Sequence, residues 1–368
     1  MKVLKATFII LLTFFLVILF AALIGILFLK FYPSVGDLPD STEQDLIKSK
    51  SSLYYDGKFH NPNEINLMSG KGYPASSRRR PSKMIDADVP ELLADVEEDD
   101  LTFTWIGHSS FLLQMGKKNI LVDPVLSERS SPVSFIGPKR FSKVPLTADQ
   151  MPRIDVLLLS HDHYDHMDYN TIRAISSKVS IFIVPLGVDS ILKGWGIEDD
   201  RIYPLGWWES AEIDSVSYTL TPSQHFTGRD PLRRDSTLWG GFYIDNGINS
   251  VYYTGDGGYC DVFKEIHEKL GAPDLMISEC GQYDPSWSAV HMFPEEAVQA
   301  ALDIKAAWAI PVHWGTFCIC NHAWDDPIER VTAEAVKKNV HIATPEIGQT
   351  VDFEKIETFN EKWWEAYK

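Results

Sequence analysis

The first thirty residues of the chain carry one long apolar run. Residues 7–29 are 23 consecutive uncharged residues, most of them Phe, Ile, Leu or Val. A helix of that length rises about 34 Å, enough to cross a hydrocarbon core of about 30 Å. The run ends at Leu27-Phe28-Leu29-Lys30, without the small residues of a signal-peptidase site. We therefore predict a retained membrane anchor within residues 1–32, with a cleaved signal peptide as the alternative.

The charges on either side of the apolar run predict its orientation. Lys2, Lys5 and the α-amine precede the run, whereas Lys30 is the only basic residue close behind it and acidic residues follow. Basic flanks tend to stay in the cytoplasm, which favours a cytoplasmic N-terminus. We predict a single-pass protein of the cell membrane whose body lies on the exported side.

Beyond the anchor, the hydrophobic pattern changes once more. Residues 33–100 are polar and weakly periodic, which predicts a linker and N-terminal extension. After them, apolar runs of four to eight residues recur between Gly, Pro, Asp or Asn, as strands do. Helical patterns fall between the later runs, one opening at Asp261 and another at Pro294. We predict an α+β domain over residues 101–353, with two layered sheets and helices outside, and a C-terminal tail over residues 354–368.

Composition counts against two classes of protein. The chain has 34 Lys and Arg against 51 Asp and Glu, a formal net charge of −17. A nucleic-acid binder needs a basic surface to displace counterions from phosphates, so we expect no nucleic-acid partner. Four cysteines are too few for a disulfide-dense scaffold. Cys318 and Cys320 resemble half of a metal site, but no second pair of cysteines complements them.

Six consecutive residues carry the strongest chemical signal. Residues 161–166 read His-Asp-His-Tyr-Asp-His and directly follow an apolar run. In extended backbone His161 and His163 point the same way, so both can bind one ion. A turn then brings Asp165 and His166 towards a second ion. Imidazole nitrogens with one carboxylate suit zinc, which predicts a metal site at the end of a buried strand.

Three further candidates stand at the ends of later predicted strands: His225, Asp256 and His313. Each of them alone is more often a structural residue, but together they complete two neighbouring ion sites. Asp256 would bridge the ions beside a hydroxide, which is the arrangement of a two-metal hydrolase. The predicted ligands are His161, His163 and His225 for one ion, and Asp165, His166 and His313 for the other.

These motifs resemble those of metallo-β-lactamase-fold hydrolases, most closely N-acyl-phosphatidylethanolamine-hydrolysing phospholipase D and its bacterial relatives. The resemblance spans about Tyr55 to Val351. It implies an αββα sandwich that binds two zinc ions, or zinc mixed with iron or manganese. It also implies a phosphodiesterase that releases N-acylethanolamine and phosphatidic acid. Besides the 161–166 block it rests on Trp105–Ser110, Asp123–Val125, Thr221–His225, Gly255-Asp256, Pro294–Val298 and His313–Phe317.

Further roles follow for residues beside the predicted ions. Asp256 is the predicted catalytic bridge, and His291 is the candidate that orients substrate or protonates the leaving alkoxide. The alternative for His291 is a hydrogen-bonded loop histidine. His108 and Asp123 end early strands, and we predict that they orient the ligand imidazoles, with ordinary turn residues as the alternative.

The substrate is less well predicted than the metal core. Residues 277–283 and Gly257 depart from the pattern of the animal lipid enzyme, which leaves a lactonase or a soluble phosphoester hydrolase open. Diiron electron-transfer relatives carry Glu where this chain has His163, so zinc hydrolysis is favoured over redox chemistry. A non-catalytic binding protein is disfavoured because all seven ligands are present. We expect a phospholipid or small-molecule ester substrate and a membrane partner, with a homodimer left open.

Overall fold

The computed structural model describes residues 2–68, 70–230 and 232–368, with side chains from residue 5 onwards. Within these residues the chain forms an N-terminal helix, then two large β-sheets packed face to face with helices outside. This confirms the predicted α+β sandwich with αββα layers. The helices are α1 (Lys2–Phe31), α2 (Ser41–Lys50), α3 (Tyr169–Ile175), α4 (Val188–Gly194), α5 (Val262–Leu270), α6 (Pro294–Ile304) and α7 (Asp326–Lys338).

The candidate ligands lie just after the ends of four of the strands. Described in chain order, they are β1 (Tyr54–Tyr55), β2 (Lys58–Phe59), β3 (Leu101–Gly107), β4 (Ser110–Met115), β5 (Lys118–Val122), β6 (Ile154–Leu158), β7 (Val179–Pro185), β8 (Ile202–Leu205), β9 (Ser210–Ile213), β10 (Val216–Thr221), β11 (Gly241–Asp245), β12 (Ser250–Tyr253), β13 (Leu275–Glu279), β14 (Trp308–Val312) and β15 (Thr350–Asp352).

One sheet has the order β15-β3-β4-β5-β6-β7-β8, in which β5 to β8 run parallel. The other has the order β14-β13-β12-β11-β10-β9, in which β12, β13 and β14 run parallel. Side chains from both sheets meet in a continuous core, where the rings of Phe111 and Tyr253 lie 5.1 Å apart. Since parallel strands end at the same edge of a sheet, residues that follow them gather at one edge of the sandwich.

Helix α1 stands apart from the sandwich in its surface chemistry. Among the described residues, Lys5–Phe31 is a helix long and apolar enough to cross a membrane, with a mean hydropathy of 3.1 and no burial in its most apolar window. It is therefore a candidate membrane span by length and composition. Met1 and the side chain of Lys2, on which the orientation prediction depends, lie outside the described residues.

The segments flanking the predicted catalytic domain pack against it. Ile47 of α2 and the ring of Phe59 in β2 are buried in the core shared with both sheets. At the other end of the chain, Trp363 and Trp364 are buried as well, and the Trp363 ring lies 5.4 Å from that of Trp314. Residues 33–59 and the end of the chain therefore belong to the folded body rather than extending into solvent.

Candidate metal centre

Four loops at one edge of the sandwich bring the seven predicted ligands together. Residues 161–166 follow β6 of one sheet, whereas the other sheet supplies residues after β10, β12 and β14. The ligand atoms fall into overlapping groups whose members all lie within 4.8 Å of one another. These groups are His161, His163 and His225; His108, Asp165, His166 and His313; Asp256, Glu279, His291 and His313; and His161, His166 and Asp256.

In the first group, hydrogen bonds hold two imidazoles in the form that binds a metal. Nδ1 of His225 donates to the carbonyl of Val290 at 2.9 Å, which leaves the lone pair on Nε2. Ser160 donates its proton to Asp123, so its oxygen accepts from Nδ1 of His161 at 2.9 Å. Nε2 of His161 then lies 2.9 Å from Nδ1 of His163. Both ring nitrogens are within reach of a single cation.

Burial keeps these imidazoles neutral. Desolvation lowers the pKa of His161 and of His225 well below 6.5, and it lowers that of His163 as well. Neutral imidazole is the form that donates to a metal ion, so protons compete weakly with a metal at this group.

In the second group, buried ring nitrogens face carboxylates. Nε2 of His166 lies 3.1 Å from Oδ2 of Asp256, and Nε2 of His313 lies 3.2 Å from the same oxygen. Neither nitrogen makes a hydrogen bond of acceptable geometry within the described residues, and neither does Oδ1 of Asp256. Buried polar atoms without partners are costly, and a divalent cation would satisfy all three. The donor set therefore fits a metal ion.

Electrostatics in this second group also favours a cation. Burial lowers the pKa of His166, but the carboxylates of Asp256 and Asp165 outweigh it and raise that pKa to about 10. Asp256 and Asp165 likewise raise the pKa of His313 well above its usual value, against the effect of burial. A field that holds protons on two buried imidazoles would hold a metal ion in their place.

Asp256 occupies the centre of the cluster. Burial raises the pKa of its carboxyl, but His166 and His313 hold it well below the usual range. The residue before Asp256 is Gly255, whose φ is +59° and whose backbone packs closely on that of Gly240. A Cβ at Gly255 would lie 2.4 Å from the carbonyl oxygen of Gly240, so only glycine fits here. The structure thus places the residue predicted as the bridge between the two groups of imidazoles. Oδ2 lies within 4.0 Å of ring nitrogens of His161, His166, His225, His291 and His313.

The two residues predicted to orient ligands both contact the cluster. Asp123 is fully buried and accepts hydrogen bonds from Nδ1 of His166 at 2.8 Å and from the hydroxyl of Tyr253 at 2.7 Å. His108 lies with Nε2 3.1 Å from Oδ2 of Asp165, and burial lowers its pKa to about 3. The neutral His108 ring therefore donates a hydrogen bond to that carboxylate.

Glu279 is a buried residue of the cluster that the sequence pattern did not predict. Its Oε2 accepts a hydrogen bond from Nδ1 of His291 at 3.0 Å and lies 3.2 Å from Nδ1 of His313. Its Oε1 accepts from the backbone of Gly257 at 3.0 Å. The available signal was its position as the last residue of β13, a strand end like those before Asp256 and His313.

A cavity of about 460 Å³ opens onto the cluster. His163, Asp165, Asp256, His291 and His313 line its polar side. The remaining wall is largely apolar, with one guanidinium. It is formed by Leu67, Met68, Tyr164, Phe226, Trp287, Val290, Ile319 and Arg234, among others. A larger hollow of about 710 Å³ beside Trp207 and Trp208 contains none of the candidate ligands.

Comparison with known proteins identifies the class. Residues 118–314 match the model of the beta-lactamase superfamily domain. The chain belongs to the beta-lactamase superfamily, and it is a metal-dependent hydrolase of the metallo-β-lactamase fold. The resemblance inferred from the motifs is thereby confirmed.

Three similar proteins show how far the likeness extends along the chain. The chain is 36% identical over 327 residues to an uncharacterised protein of Mycobacterium tuberculosis, covering 85% of this chain and 87% of that one. It is 35% identical over 252 residues to N-acyl-phosphatidylethanolamine-hydrolysing phospholipase D 1 of Caenorhabditis elegans, covering 64% of this chain and 70% of the relative. A metallo hydrolase of Ignicoccus hospitalis shares the fold, with a TM-score of 0.53 at 20% identity over 68% of this chain and 97% of that chain.

Proposed function

We propose that the protein is a membrane-anchored dinuclear zinc phosphodiesterase that hydrolyses lipids of the N-acyl-phosphatidylethanolamine type. The observation that carries the proposal is the largely apolar cavity that leads to the candidate ligands. An apolar wall suits an acyl chain, whereas a sugar phosphate would want polar walls. The Caenorhabditis elegans relative is an N-acyl-phosphatidylethanolamine-hydrolysing phospholipase D, which agrees with this substrate class.

The metal centre in this proposal uses the seven predicted ligands. One zinc ion would be held by His161, His163 and His225, and Asp256 would bridge it to the second. Asp165, His166 and His313 would hold that second ion. When bound, such a pair lowers the pKa of a coordinated water and neutralises charge on a phosphoryl oxygen. Iron or manganese would fit the same nitrogen and oxygen donors.

The chain's own residues orient the substrate. The guanidinium of Arg234 lies 4.0 Å from the ring centre of Phe226 on the cavity wall, where it can pair with a phosphate. Nδ1 of His291 is tied to the carboxylate of Glu279, so Nε2 remains for the substrate. With both ring nitrogens protonated, His291 keeps its Nδ1 proton on Glu279 and can donate its Nε2 proton to the oxygen of the departing alcohol.

The proposed location of the protein depends on α1, the apolar N-terminal helix. In this proposal residues 1–32 anchor the protein in the cell membrane as a single span, with the body on the exported side. Residues 33–100 form the linker and N-terminal extension, residues 101–353 the catalytic domain, and residues 354–368 the C-terminal tail. The anchor keeps the enzyme at the surface where its substrate is concentrated.

A substrate comparison tests the proposal. Full-length protein is reconstituted into phospholipid vesicles that contain N-acyl phosphatidylethanolamine, and release of N-acylethanolamine is measured by mass spectrometry. Parallel assays use plain phosphatidylethanolamine, a soluble lactone and a sugar phosphate. Each assay has a chelator-treated control to which zinc is then returned. We expect the N-acyl phospholipid to be hydrolysed fastest, in a zinc-dependent manner. Faster turnover of the lactone or the sugar phosphate would contradict the lipid substrate.

A further inference from the structure

The end of α1 is fixed to the body by buried hydrogen bonds. The guanidinium of Arg229 donates to the carbonyl of Ser34 at 3.0 and 2.7 Å, and both residues are buried. The hydroxyl of Ser34 donates in turn to the carbonyl of Pro132 at 2.8 Å. Arg233 donates to the carbonyl of Leu29 in the last turn of α1 at 2.8 Å. The body therefore sits directly at the end of the apolar helix.

The turn after α1 packs closely on α4. Trp195 donates from its indole to the carbonyl of Pro33 at 2.7 Å. Gly36 has φ of +84°, and a Cβ at this position would lie 2.5 Å from the side chain of Ile191. A residue with a side chain would push the two segments apart. This contact further fixes the angle between α1 and the body.

The same region borders the cavity of the metal centre. The guanidinium carbon of Arg229 lies 4.1 Å from the ring centre of Tyr164, and the Tyr164 hydroxyl donates to the Arg229 carbonyl at 2.8 Å. Tyr164 lines the cavity, and so do Ser130 and Pro138, on either side of the Pro132 that contacts Ser34. The cavity mouth and the end of α1 thus share their surrounding loops.

Large apolar side chains project from these loops. Phe135 and Ile136, between Pro132 and Pro138, are 79% and 64% exposed. Leu232, beside Arg233, is 75% exposed. The two loops that carry these side chains both contact the end of α1. Large exposed apolar side chains on neighbouring loops are typical of a surface that contacts an apolar partner. We define Phe135, Ile136 and Leu232 as the apolar tips.

Positive charge accompanies the apolar tips, although the whole chain is acidic. Arg129 donates to the carbonyls of Ser134 and Gly137 at 3.1 and 2.6 Å, so a full positive charge lies beside Phe135. Arg234 is exposed at the cavity wall, next to Arg233. Asp230 pairs with Arg233, so among the described residues Arg129 and Arg234 carry the unpaired positive charge on these two loops. Exposed apolar side chains with guanidinium groups on the same loops match the interfacial layer of a bilayer, where headgroup phosphates lie above acyl chains.

We propose that the apolar tips enter the interfacial layer of the bilayer that α1 crosses, and that this holds the cavity mouth against the lipid surface. The inference rests on the proposed anchor and lipid substrate. The occupant is the bilayer rather than a second copy, because Arg233 hydrogen-bonds to the last turn of α1, the helix that the proposed function places in lipid. A lipid can then pass from the bilayer into the cavity without crossing water.

A depth measurement tests the contact without any need for hydrolysis. Full-length Ile136→Cys protein is labelled with a nitroxide and reconstituted into vesicles of phosphatidylethanolamine and phosphatidylglycerol. Val336→Cys, at an 83% exposed apolar position of α7, is the matched control. Labelled wild-type protein gives the background from the native cysteines. We expect oxygen to relax the Ile136 label more than a water-soluble nickel chelate does, with the reverse for Val336. A water-exposed label at Ile136 would overturn the proposal.

A second measurement tests the consequence for substrate entry. We compare hydrolysis of N-acyl phosphatidylethanolamine in vesicles with hydrolysis of soluble bis(4-nitrophenyl) phosphate. Phe135→Glu should lower the ratio of the two rates about tenfold, whereas Val336→Glu should change it by less than about twofold. An unchanged ratio for Phe135→Glu would contradict the docking. A lipid-exposed Ile136 label on a protein that hydrolyses neither diester would support the docking and refute the proposed function.

Discussion

Nδ1 of His166 donates a hydrogen bond to Asp123 at 2.8 Å, and both side chains are completely buried. Asp123 also accepts from the backbone and the hydroxyl of Ser160. This one carboxylate therefore fixes the tautomer of His166 and, through Ser160, that of His161. The orientation of one ligand in each candidate ion site therefore depends on Asp123.

Loss of that charge should weaken metal binding. We expect Asp123→Asn to lower zinc affinity by about 10–100-fold, because the amide is a poorer acceptor for the His166 proton. Competition with a chromogenic chelator measures the change. Asp155→Asn is a control, since Asp155 also accepts a backbone hydrogen bond, from Asn119, but lies outside the cluster. Equal zinc affinities for Asp123→Asn and wild type would refute the orienting role.

The central carboxylate should be required for hydrolysis but not for the fold. Asp256→Asn removes the negative charge that faces five imidazoles, so we expect it to lose bound zinc and nearly all activity. Circular dichroism should show the sandwich retained. The exposed Asp261→Asn is the control. Elemental analysis of the wild type should give close to two ions per chain, and full activity at near-zero metal content would refute the dinuclear centre.

His291 should act on the chemical step rather than on substrate binding. We expect His291→Ala to lower kcat by about 10–100-fold with little change in KM, because a proton donor to the leaving alcohol acts in the transition state. The exposed His341→Ala is the control. A rise in KM with kcat unchanged would instead assign His291 to substrate binding.

Metal-free protein should be most stable near pH 6.5. The pKa values of His161 and His225 lie below 6.5 in the folded chain, so the unfolded chain takes up more protons as pH falls and stability is lost below that value. The pKa of His166 is raised to about 10, so its stabilising contribution is present below 6.5 and is lost as pH rises towards 10.

Thermal unfolding of the chelated protein in detergent, followed by near-ultraviolet circular dichroism, measures this profile. Zinc should flatten the alkaline limb, since the cation replaces the protons on His166 and His313. Both pH 7 and pH 9 lie above the ordinary histidine pKa of about 6.5, so stability should fall between them. A chelated protein that becomes more stable over this range would contradict these assignments.

Sequence patterns predicted the parts of the fold that repeat a local rule. The apolar runs before His161 and His313 are confirmed as β6 and β14, and the helix at Pro294 is confirmed as α6. A ligand that follows a buried strand is readable because the strand end fixes its place at the sheet edge. Short outer strands such as β8 and β9 were not predicted, since four residues at the side of a sheet carry too little periodicity.

Contacts between distant segments could not be predicted from the pattern. In the sequence, Glu279 is one acidic residue among many. Only the order of the strands shows that it lies beside His291. The polarity of residues 33–100 predicts a linker and N-terminal extension, and it gives no sign that Ser34 is buried against Arg229. Such contacts depend on one specific pair of partners, and neither partner carries a local signal of the other.

The candidate ligands come from both layers of the sandwich: His161 follows a strand of one sheet, and His225 and His313 follow strands of the other. In the proposed centre each ion is therefore an inorganic cross-link that closes long loops and joins the two layers. Metal binding offsets part of the entropy lost in closing such loops. Zinc supply would then set how long each copy of the protein survives proteolysis, as well as how fast it turns over substrate.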